Sequence, residues 1–126
     1  MKSKKLNFAI IGCGSVSLDH AKAIKKLGHK ISYGSTKNIN SKNWKLFKKK
    51  FPQTKFATIN EILKNKNIDR VVSCLPLNEQ KKYCKKILTS RKPILIEKPL
   101  HDNAFKLKKI FSVKDACLFN KAVAYN

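Results

Sequence analysis

The feature that most constrains this sequence is a short apolar segment that runs into two closely spaced glycines and then into a helical pattern. Residues 6–11 are predicted to form a strand, and Gly12-Cys13-Gly14 follows directly. The apolar spacing from residue 15 to 27 is typical of a helix, and Gly28 is a natural end for it. A strand, a glycine turn and a helix in this order form the opening unit of a parallel α/β sheet.

The same alternation of strands and helices continues along the 126 residues. Further strands are predicted at 29–34, 56–57, 69–76, 93–97 and 116–124. Helices are predicted at 41–51, with Trp44 and Phe47 facing inward, after a cap at Thr58 or Asn60, and at 78–90 and 103–111. We therefore expect an α/β fold: a three-layer, Rossmann-type doubly wound parallel sheet with helices on both faces, in a single domain over residues 1–126.

The glycine turn has the context that a phosphate-binding loop requires. Gly12 permits the tight turn, and Gly14 lets the backbone approach a pyrophosphate without a Cβ in the way. The amides at the start of the following helix, from Ser15 and Val16, would then face the anion. Ser17 takes the third position of the fingerprint, where a small residue is needed for close packing. The motif predicts a dinucleotide site, and the alternative is a plain strand–turn–helix of another α/β protein.

The end of the second predicted strand indicates which dinucleotide would bind. A carboxylate about 20 residues past the glycines binds the ribose hydroxyls of NAD, but no Asp or Glu occurs from His20 to Asn60. Ser35, Thr36 and Lys37 lie where a 2′-phosphate would be bound, and an ammonium is a good point-charge partner for phosphate. We expect NADP rather than NAD, with the alternative that Lys37 is one more of many lysines.

The net charge of +22 invites comparison with nucleic-acid-binding proteins. Of the 29 basic residues only Arg70 and Arg91 are arginine, whereas base recognition relies on the bidentate guanidinium. The lysines are also spread along nearly every segment rather than forming a stripe. We therefore expect no specific nucleic-acid partner.

Targeting and cysteine patterns narrow the protein class further. No signal peptide or membrane-length apolar run is evident, so no membrane partner and a cytoplasmic location are expected. The cysteines are Cys13, Cys74, Cys84 and Cys117. They form no Cys-x-x-Cys pair, which predicts free thiols in a reducing compartment and no metal site.

Several segments together resemble the N-terminal domain of the glucose–fructose oxidoreductase, inositol dehydrogenase and rhizopine catabolism family (Gfo/Idh/MocA). The matching pieces are residues 10–14, His20, residues 68–72 leading to Pro76, residues 93–100 with Glu97-Lys98-Pro99, and residues 122–126. The resemblance covers nearly the whole chain. It implies an NAD(P)-dependent oxidoreductase acting on a sugar, a cyclitol or a related hydroxyl compound.

The resemblance also implies roles for residues at the strand ends. Lys98 would be the catalytic residue, lying beside the nicotinamide and the substrate. Glu97 would contact the cofactor or orient its loop, while Leu75 and Pro76 would pack near a ribose. His20 would be a structural or cofactor-flanking residue of the first helix.

Two departures from the family pattern accompany these expectations. The family often has Pro-Asn-x-x-His after the fourth strand, but here Gln80 replaces the His, which puts the ribose contact in doubt. The family's C-terminal substrate domain is absent from residues 1–126, so we expect an incomplete enzyme that binds a sugar-like substrate only together with a second domain. The alternative is a dinucleotide-binding module without chemistry, acting as a sensor or an assembly partner.

Overall fold

The computed structural model describes residues 4–97. Within that range the strands are β1 (Asn7–Ile11), β2 (Lys30–Ser35), β3 (Lys55–Phe56), β4 (Arg70–Ser73) and β5 (Ile94–Ile96). The helices are α1 (Ser15–Lys26), α2 (Lys42–Lys50), α3 (Ile59–Lys64) and α4 (Leu77–Thr89). Each helix connects two consecutive strands, as parallel pairing requires.

The strands form one sheet in the order β3-β2-β1-β4-β5, and every neighbouring pair is parallel. In the pairing of β1 with β2, Phe8 faces Ile31 and Ala9 faces Tyr33, so Ser32 is one extra residue on β2. The chain extends the sheet outward from β1 to β3, and α3 then carries it back to the other side of β1. This reversal places a topological switch point between β1 and β4.

Two separate cores show that helices cover both faces of the sheet. Ile10 of β1 packs with α1 and α2 residues such as Ala21 and Phe47. Its neighbours Ala9 and Ile11 point to the opposite face and pack with residues of α3 and α4. Because successive side chains of a strand alternate between faces, β1 contributes to both cores.

The architecture confirms the predicted three-layer α/β fold, including the inward positions of Trp44 and Phe47, which are 6 % and 0 % exposed. Thr58, not Asn60, caps α3: its side chain accepts a hydrogen bond from the Glu61 amide, and Glu61 completes a capping box. β4 ends at Ser73, so the last residues of the predicted strand belong to a loop. The predicted helix 103–111 and strand 116–124 lie outside the described residues.

Within residues 4–97, no helix has the length and apolar character needed to cross a bilayer.

Candidate functional site

The glycine loop lies at the carboxyl end of β1, between the ends of β2 and β4. Open α/β sheets bind ligands in the crevice outside the carboxyl ends of the strands, at the switch point. The predicted site residues from β2, from the β4–α4 loop and from the end of β5 are all carried to this same edge. The fold therefore brings together segments that are far apart in the sequence.

Gly12 has a backbone conformation that favours glycine. Its φ is +86°, and a Cβ there would lie 3.0 Å from the backbone carbon and oxygen of Cys74. Its amide donates to the carbonyl of Ser35 at the end of β2, 2.8 Å away. Gly12 is thus wedged between the ends of β2 and β4, and the fold itself requires glycine at this position.

Gly14 differs from Gly12 both in its backbone conformation and in the space around its Cβ position. Its φ of −76° and ψ of −169° are extended values that any residue adopts. Apart from the adjacent residues of the chain, no heavy atom of the described residues would lie within 4 Å of a Cβ at Gly14. The protein's own packing therefore gives no reason for glycine here, whereas a ligand lying against the backbone would need that open space.

The start of α1 has the features of a helix N-terminus that can receive an anion. Gly14 is the N-cap, no side chain caps this end, and no acidic residue lies in the first turn. The first amides of a helix have no partner within the helix, and they carry the positive end of its dipole. Ser15 is exposed and Val16 is 48 % exposed, so a ligand can approach this end of the helix from solvent.

Ser17 occupies the third position of the glycine fingerprint, where close packing needs a small residue. It is fully buried and donates its hydroxyl to the Gly14 carbonyl.

The three residues predicted to bind a 2′-phosphate are placed differently from one another. Ser35 is buried, with 3 % exposure, and its carbonyl accepts from Gly12. The Thr36 hydroxyl donates to the carbonyl of Asn38, so it is engaged within its own loop. The Lys37 side chain is 80 % exposed, and its ammonium lies 3.4 Å from the carboxylate of Glu79. Lys37 is thus the most accessible of the three.

Glu97 is held at three atoms by three different elements. Its amide donates to the Ser73 carbonyl of β4 at 2.9 Å, and its carbonyl accepts from the Gln80 side-chain amide of α4 at 2.8 Å. Its carboxylate lies 2.7 Å from Nε2 of His20 on α1. Of the two roles expected for Glu97, contacting the cofactor or orienting its loop, these contacts fit the second.

Gln80 is a structural residue whose partners sequence reasoning missed. It is 0 % exposed; its side-chain oxygen accepts from the Ser73 hydroxyl at 2.8 Å while its NH₂ bonds Glu97. Gln80 shares the buried face of α4 with Cys84 and Ile87. A glutamine in an apolar helical stripe is a signal that could have predicted a buried polar partner.

The β4–α4 loop completes the described part of the site. Leu75 packs against the core on the α3 and α4 face, and its amide nitrogen lies close to Gly12. Pro76 is the N-cap of α4, and its carbonyl accepts from the Gln80 amide. Lys98, the predicted catalytic residue, lies outside the described residues, as does Cys117.

Two cysteines flank the glycine loop. Burial raises the pKa of the Cys13 thiol to about 12. Burial also raises the pKa of Cys74 to about 12, aided by the nearby Glu97 carboxylate. A thiol nucleophile needs a lowered pKa, so the raised pKa of both residues argues against a nucleophilic role, and both are free thiols.

A cavity of about 530 Å³ lies at the opposite edge of the sheet. Its lining includes Asn7, Lys30 and Lys55 from the amino ends of strands, and it includes none of the predicted site residues. Since ligands of this fold bind at the carboxyl edge, the size of this cavity does not make it the functional site.

Comparison with protein families identifies one family whose model matches this chain. The family model described as "Oxidoreductase family, NAD-binding Rossmann fold" (GFO_IDH_MocA) matches residues 6–122. A comparison with curated protein sequences finds no match.

Solved structures share the fold at low sequence identity. The WlbA dehydrogenase from Bordetella pertussis, in complex with NADH and UDP-GlcNAcA, has a TM-score of 0.73 and 19% identity over 90% of this chain and 34% of its own. Apo scyllo-inositol dehydrogenase from Lactobacillus casei has a TM-score of 0.71 and 18% identity over 87% and 33%. A 3-ketoreductase from Actinomadura kijaniata, in complex with TDP-benzene and NADP, has a TM-score of 0.68 and 18% identity over 94% and 36%. The chain thus spans about a third of the length of these structures.

Proposed function

The chain belongs to the Gfo/Idh/MocA family of oxidoreductases with an NAD-binding Rossmann fold, and from that premise we propose how its site works. The dinucleotide lies across the carboxyl edge of the sheet, with its pyrophosphate on the glycine loop and the first amides of α1. Together with a substrate domain, the chain catalyses hydride transfer to or from a sugar, a cyclitol or a related hydroxyl compound. Its partners are the cofactor and that substrate, in a reducing, cytoplasmic setting that suits its free thiols.

The observation that carries this proposal is the open space at Gly14. An extended backbone with nothing within 4 Å of the Cβ position tolerates any small side chain in the unliganded fold. The uncapped start of α1 lies directly beside this space. A pyrophosphate seated there would use the open surface of Gly14 and the free amides at the same time, which supports the assignment.

We further propose that NADP(H) binds more tightly than NAD(H). Lys37 is exposed at the end of the β2 segment, and Asp and Glu are missing from residues 20–60. An ammonium attracts the 2′-phosphate that only NADP(H) carries. Calorimetry with both cofactors at one salt concentration measures the preference, and tighter binding of NAD(H) would contradict it.

In the proposed reaction the bound nicotinamide supplies the hydride acceptor or donor. Lys98 handles the proton at the reacting hydroxyl of the substrate, since a lysine with a lowered pKa can relay it. Glu97 acts as a positioning residue: its bonds to β4, α4 and α1 fix the backbone from which Lys98 continues. Leu75 and Pro76 form the wall of the crevice on the β4 side.

The test is turnover with and without a substrate domain. Positioning of two reactants contributes roughly 7–11 kcal/mol to lowering a barrier, and one wall of a cleft cannot hold a substrate against the nicotinamide. We expect residues 1–126 alone to bind cofactor with little turnover of polyols or keto-sugars, followed by NADPH absorbance. Fusion to the C-terminal domain of a relative should restore activity, and Lys98→Ala should abolish most of it.

The exposed Lys85 on α4 provides the matched control. Lys85→Ala removes the same charge and should leave the fusion active. Strong turnover by residues 1–126 alone would contradict the need for a second domain. A fusion that is active with Lys98→Ala would remove Lys98 from the mechanism and leave the cofactor site standing. A fusion that binds cofactor but turns over no substrate would support a module without chemistry.

A further inference from the structure

Glu79 places a carboxylate at the carboxyl edge of the sheet, where we propose that the cofactor binds. The segment at the end of β2 contains no carboxylate. Glu79 lies in the first turn of α4, and its carboxylate is 3.4 Å from the ammonium of Lys37. The Glu79 side chain is 21 % exposed and that of Lys37 is 80 % exposed. The carboxylate is therefore the more buried partner of the pair, and the lysine is the more exposed one.

Lys37 and Glu79 each follow a segment that contacts the glycine loop. Lys37 follows Ser35, whose carbonyl binds the Gly12 amide from the β2 side. Glu79 follows Leu75, whose amide nitrogen lies 3.1 Å from the Cβ position of Gly12 on the β4 side. The ion pair thus joins the two chain segments that flank the loop. A cofactor bound with its 2′-phosphate at Lys37 would therefore lie near both charges.

We propose that Glu79 is a specificity-determining residue that limits the preference for NADP(H) over NAD(H); this rests on the proposed function. A 2′-phosphate that approaches Lys37 must displace the Glu79 carboxylate or remain beside it. In either case the negative charge of Glu79 opposes the doubly charged phosphate. NAD(H) carries hydroxyls at that place, and a nearby carboxylate accepts hydrogen bonds from hydroxyls.

A helix-stabilising role alone makes a different prediction. A glutamate in the first turn of a helix interacts favourably with the dipole, so Glu79→Gln would then lower thermal stability and bind both cofactors as before. The readout that separates the two roles is therefore the ratio of the dissociation constants for NADPH and NADH, measured by calorimetry at low salt.

Glu79→Gln should shift that ratio toward NADPH by at least about threefold and up to about tenfold, as one unit charge a few ångströms from a phosphate would. The shift should shrink at about 1 M salt, where the screening length is about 3 Å. The matched control is Glu61→Gln. Glu61 also lies at the third position of its helix, but it belongs to the capping box of α3 beside the edge strand β3.

The ratio for Glu61→Gln should equal that of the wild type, although the change in net charge is the same. A shift of less than about threefold for Glu79→Gln, or an equal shift for both variants, would overturn the role of Glu79 and leave the cofactor site intact. If the wild type bound neither cofactor, the proposed function itself would fail and this inference with it.

Discussion

Gly12 and Gly14 are two residues apart, yet of these two the structure requires glycine only at Gly12. There the positive φ and the backbone of Cys74 leave no room for a Cβ. Gly14 has an extended conformation and an empty Cβ position. The sequence motif treats both as one signature, and only the geometry separates the glycine that the fold requires from the glycine that we propose a ligand requires.

Gly12→Ala should therefore lower the free energy of unfolding by about 1–3 kcal/mol, through its positive φ and its clash with the Cys74 carbonyl. Gly14→Ala should lower it by less than about 1 kcal/mol, since the extended backbone accepts a Cβ and alanine is only a poorer N-cap of α1 than glycine. Urea unfolding of both variants measures the difference. Equal losses of stability would contradict the geometry of the loop.

Cys13 and Cys74 should react slowly with iodoacetamide at pH 8 in the folded protein. Burial raises the pKa of both thiols from 9.0 to about 12, so about a thousandfold less thiolate is present than in the unfolded chain. The folded state holds these protons more tightly. The contribution of these two thiols to the free energy of unfolding is therefore complete below pH 9 and is lost as the pH rises toward 12. Peptide mass spectrometry against a guanidinium-unfolded control follows each thiol, and rapid native labelling of Cys13 would contradict its burial.

At the scale of elements, the carboxyl end of β5 is tied to the fold by side chains rather than by sheet pairing alone. Gln80 links Ser73 of β4 to the Glu97 carbonyl, and His20 links α1 to the Glu97 carboxylate. This arrangement sets the direction in which the chain leaves β5. Glu97 is thereby coupled to both α1 and α4.

Gln80→Leu should leave the Ser73 hydroxyl and the Glu97 carbonyl without their partner. Unpaired buried polar groups cost about 1–3 kcal/mol each, so urea unfolding should show a loss of at least about 1 kcal/mol. Lys85→Leu, on the exposed face of the same helix, should be close to neutral. A neutral Gln80→Leu would show that the buried bridge contributes nothing to stability.

The elements themselves were largely predictable because their signals are local. Apolar periodicity marks β1 and α1, and Pro52 follows α2 after its last lysines. The end of β4 was not predictable from its residues, since Cys74 and Leu75 are apolar and continue the strand pattern. They leave the ladder because the chain must turn there into α4, which is a property of the fold.

At the scale of the whole molecule, the switch point between β1 and β4 decides where the site lies. The glycine loop could be identified from sequence because its residues are adjacent. The pairs His20–Glu97 and Lys37–Glu79 could not, since each joins segments that only the strand order β3-β2-β1-β4-β5 brings together. Lys37 was predicted to face a phosphate, but its partner in the structure is Glu79 of α4, which lies 42 residues later in the chain.

The central claim is that the open space at Gly14 is a pyrophosphate site, and NADPH fluorescence titration of the wild type and Gly14→Val tests it most directly. Thermal unfolding serves as the control, since an empty Cβ position and an extended backbone should leave the fold of the variant intact. We expect saturable NADPH binding by the wild type and a loss of at least about tenfold in affinity, or about 1.4 kcal/mol, in the folded variant. Equal affinity of the two proteins for NADPH would contradict it.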